Sequence, residues 1–129
     1  MQRINAHTAS PYEPIVGYAR AVRKGPFVYI SGTTSTDPET GVFEHANDAG
    51  AQATKIFDNI RRALESVGAT VGDVVRTRMF VKNIVRDSDA VGRAHFAAFG
   101  KVEPVATMVE VAGFIDERML VEIEVDAVV

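Results

Sequence analysis

Two stretches near the end of the sequence, Glu103–Ala112 and Met119–Asp126, alternate between two unlike sets of side chains. A period of two is typical of a β-strand whose two faces meet different surroundings. The pattern predicts two strands, paired antiparallel, with one face on a core and the other in water. It leaves open a second interpretation, in which the acidic face lines a pocket. The sets are Thr107, Val109 and Val111 against Ala106, Met108 and Glu110, then Val121, Ile123 and Val125 against Glu122, Glu124 and Asp126.

The composition indicates one globular domain that spans residues 1–129. Hydrophobic residues make up 47% of the chain, which excludes a disordered protein. The net charge of -3 argues against a general nucleic-acid binder. The sequence has no cysteine, so it has no disulfide, thiol nucleophile or thiolate metal site. This fits a reducing compartment, and we expect a cytoplasmic protein without a signal peptide or membrane span.

The remaining patterns predict the order β-hairpin, α, β, α, β, β. Residues 3–6 form a possible edge strand, and His7–Pro14 reads as a loop because of its two prolines. The predicted elements that follow are a hairpin of Tyr18–Arg23 and Phe27–Ser31, a helix capped by Asn47 or Asp48 and ended by Gly68, a strand over Val74–Val81, and a helix capped within Asp87–Asp89 that runs to Phe99.

Two amphipathic helices on one face of a mixed sheet satisfy the layer rule for an α+β domain. The first helix carries apolar residues at spacings of three and four: Ala53, Ile56, Phe57, Ile60, Ala63, Leu64 and Val67. No further element covers the other face of the sheet, which we expect to carry Arg78, Phe80 and Met108 besides acidic residues. Such a mixed face is typical of burial against another copy of the chain.

The ordered set of motifs resembles the RidA/YjgF family of reactive-intermediate (enamine/imine) deaminases, formerly labelled L-PSP endoribonucleases. The likeness covers nearly the whole chain, and it depends on the order and spacing of the pieces together. These are Tyr18, Ser31-Gly32, Asp37-Pro38-Glu39-Thr40-Gly41, Gln52, Asp58-Asn59-Ile60, Gly72-Asp73-Val74-Val75, Phe80-Val81-Lys82-Asn83, the Pro104 segment ending Val109-Glu110-Val111, and Val121-Glu122-Ile123-Glu124.

The resemblance implies a chorismate-mutase-like α+β subunit that forms a homotrimer with a central barrel and small-molecule clefts between subunits. It also implies hydrolysis of 2-imino or 2-enamino acids to 2-keto acids and ammonia, with no cofactor and no metal. At the site, however, the sequence departs from the family. Typical members read Pro-Ala-Arg-Ser/Thr where this chain has Pro104-Val105-Ala106-Thr107, so Ala106 replaces the arginine that grips the substrate carboxylate. A second pocket position, often asparagine, is Gly92 here.

The same resemblance assigns the candidate site. Glu122 matches the glutamate that activates the attacking water, for which a carboxyl with a raised pKa is suited. Tyr18 matches a pocket tyrosine, and Ser31 with Gly32 would offer a hydroxyl and backbone groups to the substrate. Met108 stands where some members have a cysteine and would form an apolar wall. Each of these five residues has a purely structural alternative as a packing or turn residue.

Arg78 shares a strand face with Phe80, and the acidic residues Glu110, Glu122 and Glu124 are expected on the matching face of the last two strands. A structural ion pair with these acids is the leading interpretation, because buried carboxylates need partners. The alternative is that Arg78 replaces the missing anion anchor.

Other chemistries have little support. No Gly-x-Ser-x-Gly elbow accompanies Ser31 and His95, no metal-ligand spacing links His7, His45 and His95, and no phosphate loop is present. The leading hypothesis is therefore a hydrolytic deaminase of atypical substrate. The alternatives are a trimeric small-molecule-binding or chaperone-like protein without turnover and, with less support, a ribonuclease.

Overall fold

The computed structural model describes all 129 residues, which build one six-stranded sheet with helices packed on it. The elements are β1 (Arg3–Ala6), α1 (Tyr12–Val16), β2 (Ala21–Lys24), β3 (Phe27–Thr33), α2 (Ala49–Ser66), β4 (Val74–Val81), α3 (Ile84–Phe99), β5 (Val105–Glu110) and β6 (Val121–Val128), with a 3-10 turn at Val71–Asp73. The strand order is β1-β2-β3-β6-β4-β5. Only the β4–β5 pair is parallel. None of the helices has the length and hydropathy needed to cross a membrane.

The core lies between this sheet and the two long helices. α2 begins at Asp48, whose side chain accepts a hydrogen bond from the Ala51 N–H, and the chain leaves the helix through Gly68 at φ 79°. All seven apolar positions predicted for α2 are buried, as are the inward residues Val121, Ile123 and Val125 of β6. The mixed sheet with helices on one face is therefore confirmed.

Three element boundaries were predicted wrongly. α1 begins inside the expected loop His7–Pro14 and runs on to Val16. The helix tolerates Pro14 because a proline in the first turn lacks only a donor that would be free anyway. β2 begins at Ala21 rather than Tyr18. α3 begins at Ile84, before the expected cap, because the carboxylate of Glu110 on β5 accepts from the Ile84 N–H at 3.2 Å.

The expected pairing of the last two strands is also wrong. β6 lies between β3 and β4, whereas β5 forms the edge of the sheet beside β4. In that register Met108 lies opposite the buried Met79 and packs against the core. Met108 and Glu110 therefore lie on the helix side of the sheet, and Thr107 and Val109 share the open face with Arg78 and Phe80. The alternation of β5 was read correctly, but its two faces were assigned in reverse.

A bulge interrupts β4 near its start. Val74 pairs with Ala127 and Arg76 with Asp126, which leaves Val75 as an extra residue. Val75 is consequently exposed, whereas Thr77 and Met79 are buried. From Arg76 onward the expected alternation of faces holds.

The open face of the sheet carries apolar side chains in water. Tyr29 is 51% exposed and Val109 is 41% exposed, with Phe27 and Val105 exposed near them. Between these residues, the Arg78 guanidinium lies 3.4 Å from Glu124 and 3.2 Å from Asp126.

Candidate active site

A cleft of about 260 Å³ opens at the end of the sheet where β3 stops and β6 begins. Its floor contains Gly32 and Glu122, and its walls come from α1 and from loops around residues 34–43 and 115–119. A β-bulge in β3 shapes this floor, since Ile30 pairs with Val125 but Thr33 pairs with Ile123. The extra residue there places Gly32 beside the side chain of Glu122.

The Glu122 carboxyl lies against the backbone of Gly32. A Cβ atom added at Gly32 would be 2.9 Å from both Cδ and Oε2 of Glu122, so any larger residue would displace the carboxyl from this position. Burial raises the pKa of Glu122, Arg20 opposes this effect and the like charge of Glu124 adds to it. A carboxyl that is partly desolvated and faces a cleft is suited to taking and returning a proton.

Arg20 forms the inner wall of the cleft and is only 9% exposed. Its Nη1 donates to the Gly32 carbonyl at 2.7 Å, and its Nη2 donates to Glu13 Oε2 at 3.4 Å. Burial alone would raise the pKa of Glu13, but hydrogen bonds from Thr8 and the charge of Arg20 lower it overall. The ionised Glu13 therefore holds Arg20 in place from behind the cleft.

The outer wall consists of aromatic rings and a second arginine. The Arg20 guanidinium lies 5.6 Å from the centre of the Tyr18 ring, and that of Arg118 lies 4.8 Å from the centre of the Phe43 ring. Asp116 accepts from Arg118 Nη2 at 2.7 Å and from Nε at 3.0 Å, which lowers the pKa of Asp116 to about 2. The cleft thus contains two cations and two carboxyls.

A buried glutamine of α2 joins two of the cleft loops. Gln52 is 0% exposed, and its Nε2 donates to the carbonyls of His45 and Arg118 at 3.1 and 2.9 Å. Its Oε1 accepts from the Leu120 N–H at 2.9 Å. Gln52 therefore fixes the spacing of the walls that carry Phe43 and Arg118.

Three of the seven site residues predicted from the sequence line this cleft: Tyr18, Gly32 and Glu122. The other four do not. The Ser31 hydroxyl donates to the Ala19 carbonyl at 2.6 Å. Arg78 pairs with acids on the open face, Ala106 lies exposed on the edge strand β5, and Met108 packs toward the core. Gly92 lies on α3, with nothing within 4 Å of its missing side chain.

Sequence reasoning missed Arg20, Gln52 and Arg118 as site residues. For the first two a signal was available. The alternation that starts at Tyr18 puts Arg20 on the same side, and Gln52 sits four residues before Ile56 on the apolar face of α2. No local pattern marks Arg118, because its neighbour across the cleft, Phe43, is far away in sequence.

Two further observations complete the polar surroundings. A second cavity of about 250 Å³ adjoins Arg20 on the helix side of the sheet. Its lining is mostly polar and comes from the N-terminal segment, from the loop that follows β3, and from α2. No three His, Asp or Glu side chains lie close enough together to hold a metal ion.

The fold and the cleft define a small α+β subunit with a desolvated carboxyl at the end of its sheet, and comparison with known proteins identifies its class. The family model for Endoribonuclease L-PSP matches residues 8–129. A crystal structure of a YjgF family member from Mycobacterium tuberculosis superposes with a TM-score of 0.88 and 44% identity, covering 99% of this chain and 100% of that one. The chain therefore belongs to the RidA/YjgF (Endoribonuclease L-PSP) family.

Relatives with sequence similarity include characterised and uncharacterised proteins. An uncharacterised protein of Streptomyces coelicolor is 40% identical over 120 residues, which cover 93% of this chain and 87% of that one. The 2-iminobutanoate/2-iminopropanoate deaminase of Salmonella typhimurium is 34% identical over 113 residues, covering 86% and 84%.

Proposed function

We propose that this protein is a cofactor-independent hydrolytic deaminase that acts on a small imine or enamine in the cytoplasm. The observation that carries the proposal is the Glu122 carboxyl, which has a raised pKa and lies over Gly32 on the floor of a cleft. The sequence similarity of the chain to a 2-iminobutanoate/2-iminopropanoate deaminase supports the same chemistry.

The proposed reaction needs two proton transfers. The Glu122 carboxylate takes a proton from water while the water oxygen bonds to the carbon of the C=N group. The carboxyl then gives this proton to the nitrogen, which completes a carbinolamine. As the C–N bond breaks, the hydroxyl proton of the carbinolamine passes through the same carboxylate to the nitrogen, and a carbonyl and ammonia are released. A carboxyl with a raised pKa is suited to both transfers because it gains and loses its proton closer to neutral pH.

The working unit of the proposal is a homotrimer. The exposed apolar side chains of the open face, Tyr29 and Val109 among them, support burial against other copies. The unpaired outer edge of β5 would then lie near a neighbouring subunit, and the exposed Ala106 would contribute to a cleft shared between two chains.

The substrate of this deaminase is proposed to be atypical. Ala106 cannot grip a carboxylate, and Arg78 is engaged with Glu124 and Asp126. A missing charge-assisted pair in a desolvated cleft costs roughly 2–5 kcal/mol of binding. Hydrolysis of 2-iminopropanoate or 2-iminobutanoate is therefore expected to be slow, and the natural substrate to be larger or less dependent on that contact.

The test generates the imine in situ with an amino-acid oxidase and follows keto-acid release for wild type and Ala106→Arg. We expect wild-type rates about 30-fold or more below those of an arginine-bearing relative, and a faster Ala106→Arg variant. A wild-type rate equal to that relative's would contradict the atypical substrate. If neither protein exceeds the blank reaction although both fold, the alternative of a binding protein without turnover is favoured.

A further inference from the structure

The cleft contains two arginines, Arg20 and Arg118, although the chain has no arginine at position 106. Their surroundings differ. Arg118 is exposed, and two of its N–H groups are held by Asp116 two residues away. Its charge is therefore neutralised locally and screened by water. Arg20 is nearly buried and lies beside Gly32. The dielectric constant around it is therefore lower, and its attraction for an anion in the cleft is stronger than that of an exposed arginine.

Arg20 also retains donors that the chain does not use. Three hydrogen bonds engage its Nη atoms, to the Gly32 carbonyl, Thr33 Oγ1 and Glu13 Oε2. The Nε–H has no acceptor within the chain, yet it is not one of the fully enclosed polar atoms that lack a partner, so part of its surface is accessible. Because a guanidinium has five N–H groups, Arg20 can serve Glu13 and an incoming anion together.

We infer that Arg20 holds the substrate carboxylate in this cleft, next to the Gly32–Glu122 pair. The inference rests on the proposed function and adds a residue that determines specificity. With most of its donors engaged, Arg20 offers a weaker grip than a free bidentate fork. Preference for carboxylates should thus persist in wild type even though turnover of simple imino acids is slow.

The experiment measures binding rather than turnover. Isothermal titration compares 2-oxobutanoate, the keto acid formed from 2-iminobutanoate, with its neutral analogue 2-oxobutanamide. We expect wild type to prefer the keto acid, and Arg20→Gln to lose about tenfold or more of that preference, as for one charged hydrogen bond. Arg118→Gln should keep the preference.

A matched pair guards against misfolding, because Arg20→Gln alone leaves Glu13 buried without its cation. Glu13→Gln and the double variant Glu13→Gln/Arg20→Gln both remove that charge and differ only at position 20. Glu13→Gln keeps an amide oxygen that can accept from Arg20, and the Gly32 carbonyl also holds Arg20, so this variant should retain the preference. The double variant should lose it. Equal preference in the two, loss in Arg118→Gln instead, or no preference in wild type would each overturn the inference.

Hydrolysis is assayed separately with the imine generated in situ. Turnover by wild type without any preference for the carboxylate would leave the deaminase proposal standing and remove Arg20 from it. If binding prefers the carboxylate through Arg20 but no hydrolysis occurs, the deaminase proposal fails and the anion site at Arg20 stands.

Discussion

The chemistry of Glu122 depends on neighbours that differ in kind. Gly32 leaves space for the carboxyl, Glu124 adds a like charge from the same strand, and Arg20 supplies a cation from a different segment. Glu122 and Gly32 were predicted together because both match positions of the family's site. Arg20 was not, because its role depends on its contacts with Gly32 and with the buried Glu13.

We expect Glu122→Gln to reduce kcat by about 100-fold or more, since the general base is lost. Wild-type kcat/KM should rise with pH until it passes the raised pKa of Glu122 and then level off. Steady-state keto-acid release across pH 4–8 measures both effects. A variant with wild-type kcat would exclude Glu122 as the base.

Glu122→Gln should also change the stability of the folded protein. Because burial raises the pKa of Glu122, the folded protein holds this proton more tightly than the unfolded chain. Ionisation therefore costs folding free energy, and the cost is absent below the ordinary carboxyl pKa and complete above the raised one. Glu122→Gln should be more stable than wild type at pH 7 and lose this advantage at pH 4. Tm values of both proteins at both pH values give the comparison. A variant less stable than wild type at pH 7 would contradict a destabilising effect of the ionised Glu122.

At the scale of elements, α2 carries the cleft as well as the core. Its apolar stripe packs on the sheet, and within that stripe Gln52 bonds to the loops at His45 and at Arg118 to Leu120. A buried amide with these bonds satisfied is stable, but its removal leaves the Arg118 carbonyl and the Leu120 N–H unpaired, while the His45 carbonyl keeps its bond from the Asp48 N–H.

Gln52→Leu should therefore lower the free energy of unfolding by at least about 2 kcal/mol. Urea denaturation measures the loss, and hydrogen exchange should show faster exchange at the Leu120 amide. The control is Asp48→Ala in the same helix, which removes a cap worth about 1 kcal/mol and leaves the loops fixed. Equal losses in the two variants with unchanged exchange would mean that Gln52 does not hold the loops.

Sequence patterns established which segments are strands and helices better than which of them are neighbours. The alternation in β5 and β6 was correct, but alternation carries no information about the partner strand. β6 is inserted between β3 and β4, and β5 lies parallel to β4. This arrangement reversed the faces of Met108 and Glu110. The start of α3 was also missed because it depends on a contact between distant segments. Glu110 of β5 accepts from the Ile84 N–H, so the helix begins before the predicted cap.

For the whole molecule, the open face of the sheet is the surface on which the proposed trimer depends. It combines the exposed Tyr29 and Val109 with the Arg78 ion pairs. Helices already cover the opposite face, so any large additional burial of the sheet has to come from this side.

Light scattering is expected to give three times the 14.0 kDa mass of one chain. Val109→Asp places a charge in the proposed interface and should lower the mass at micromolar concentration. Val85→Asp is the matched control, because Val85 is 95% exposed on α3, away from the open face. A monomeric wild type, or equal behaviour of the two variants, would contradict the trimer and the clefts between subunits.

The position of β6 has a consequence for how the protein is made. β6 is the last of the six strands in the sequence, yet it lies in the interior of the sheet, and β3 and β4 are joined only through it. During translation the earlier strands leave the ribosome as two separate groups, a β1–β2–β3 meander and a β4–β5 pair, which cannot form a common sheet. Assembly of the core must wait until β6 emerges, so folding is expected to depend on contacts between distant segments. Until then both groups expose an unpaired edge, and this is the stage of synthesis at which a chaperone would have most to protect.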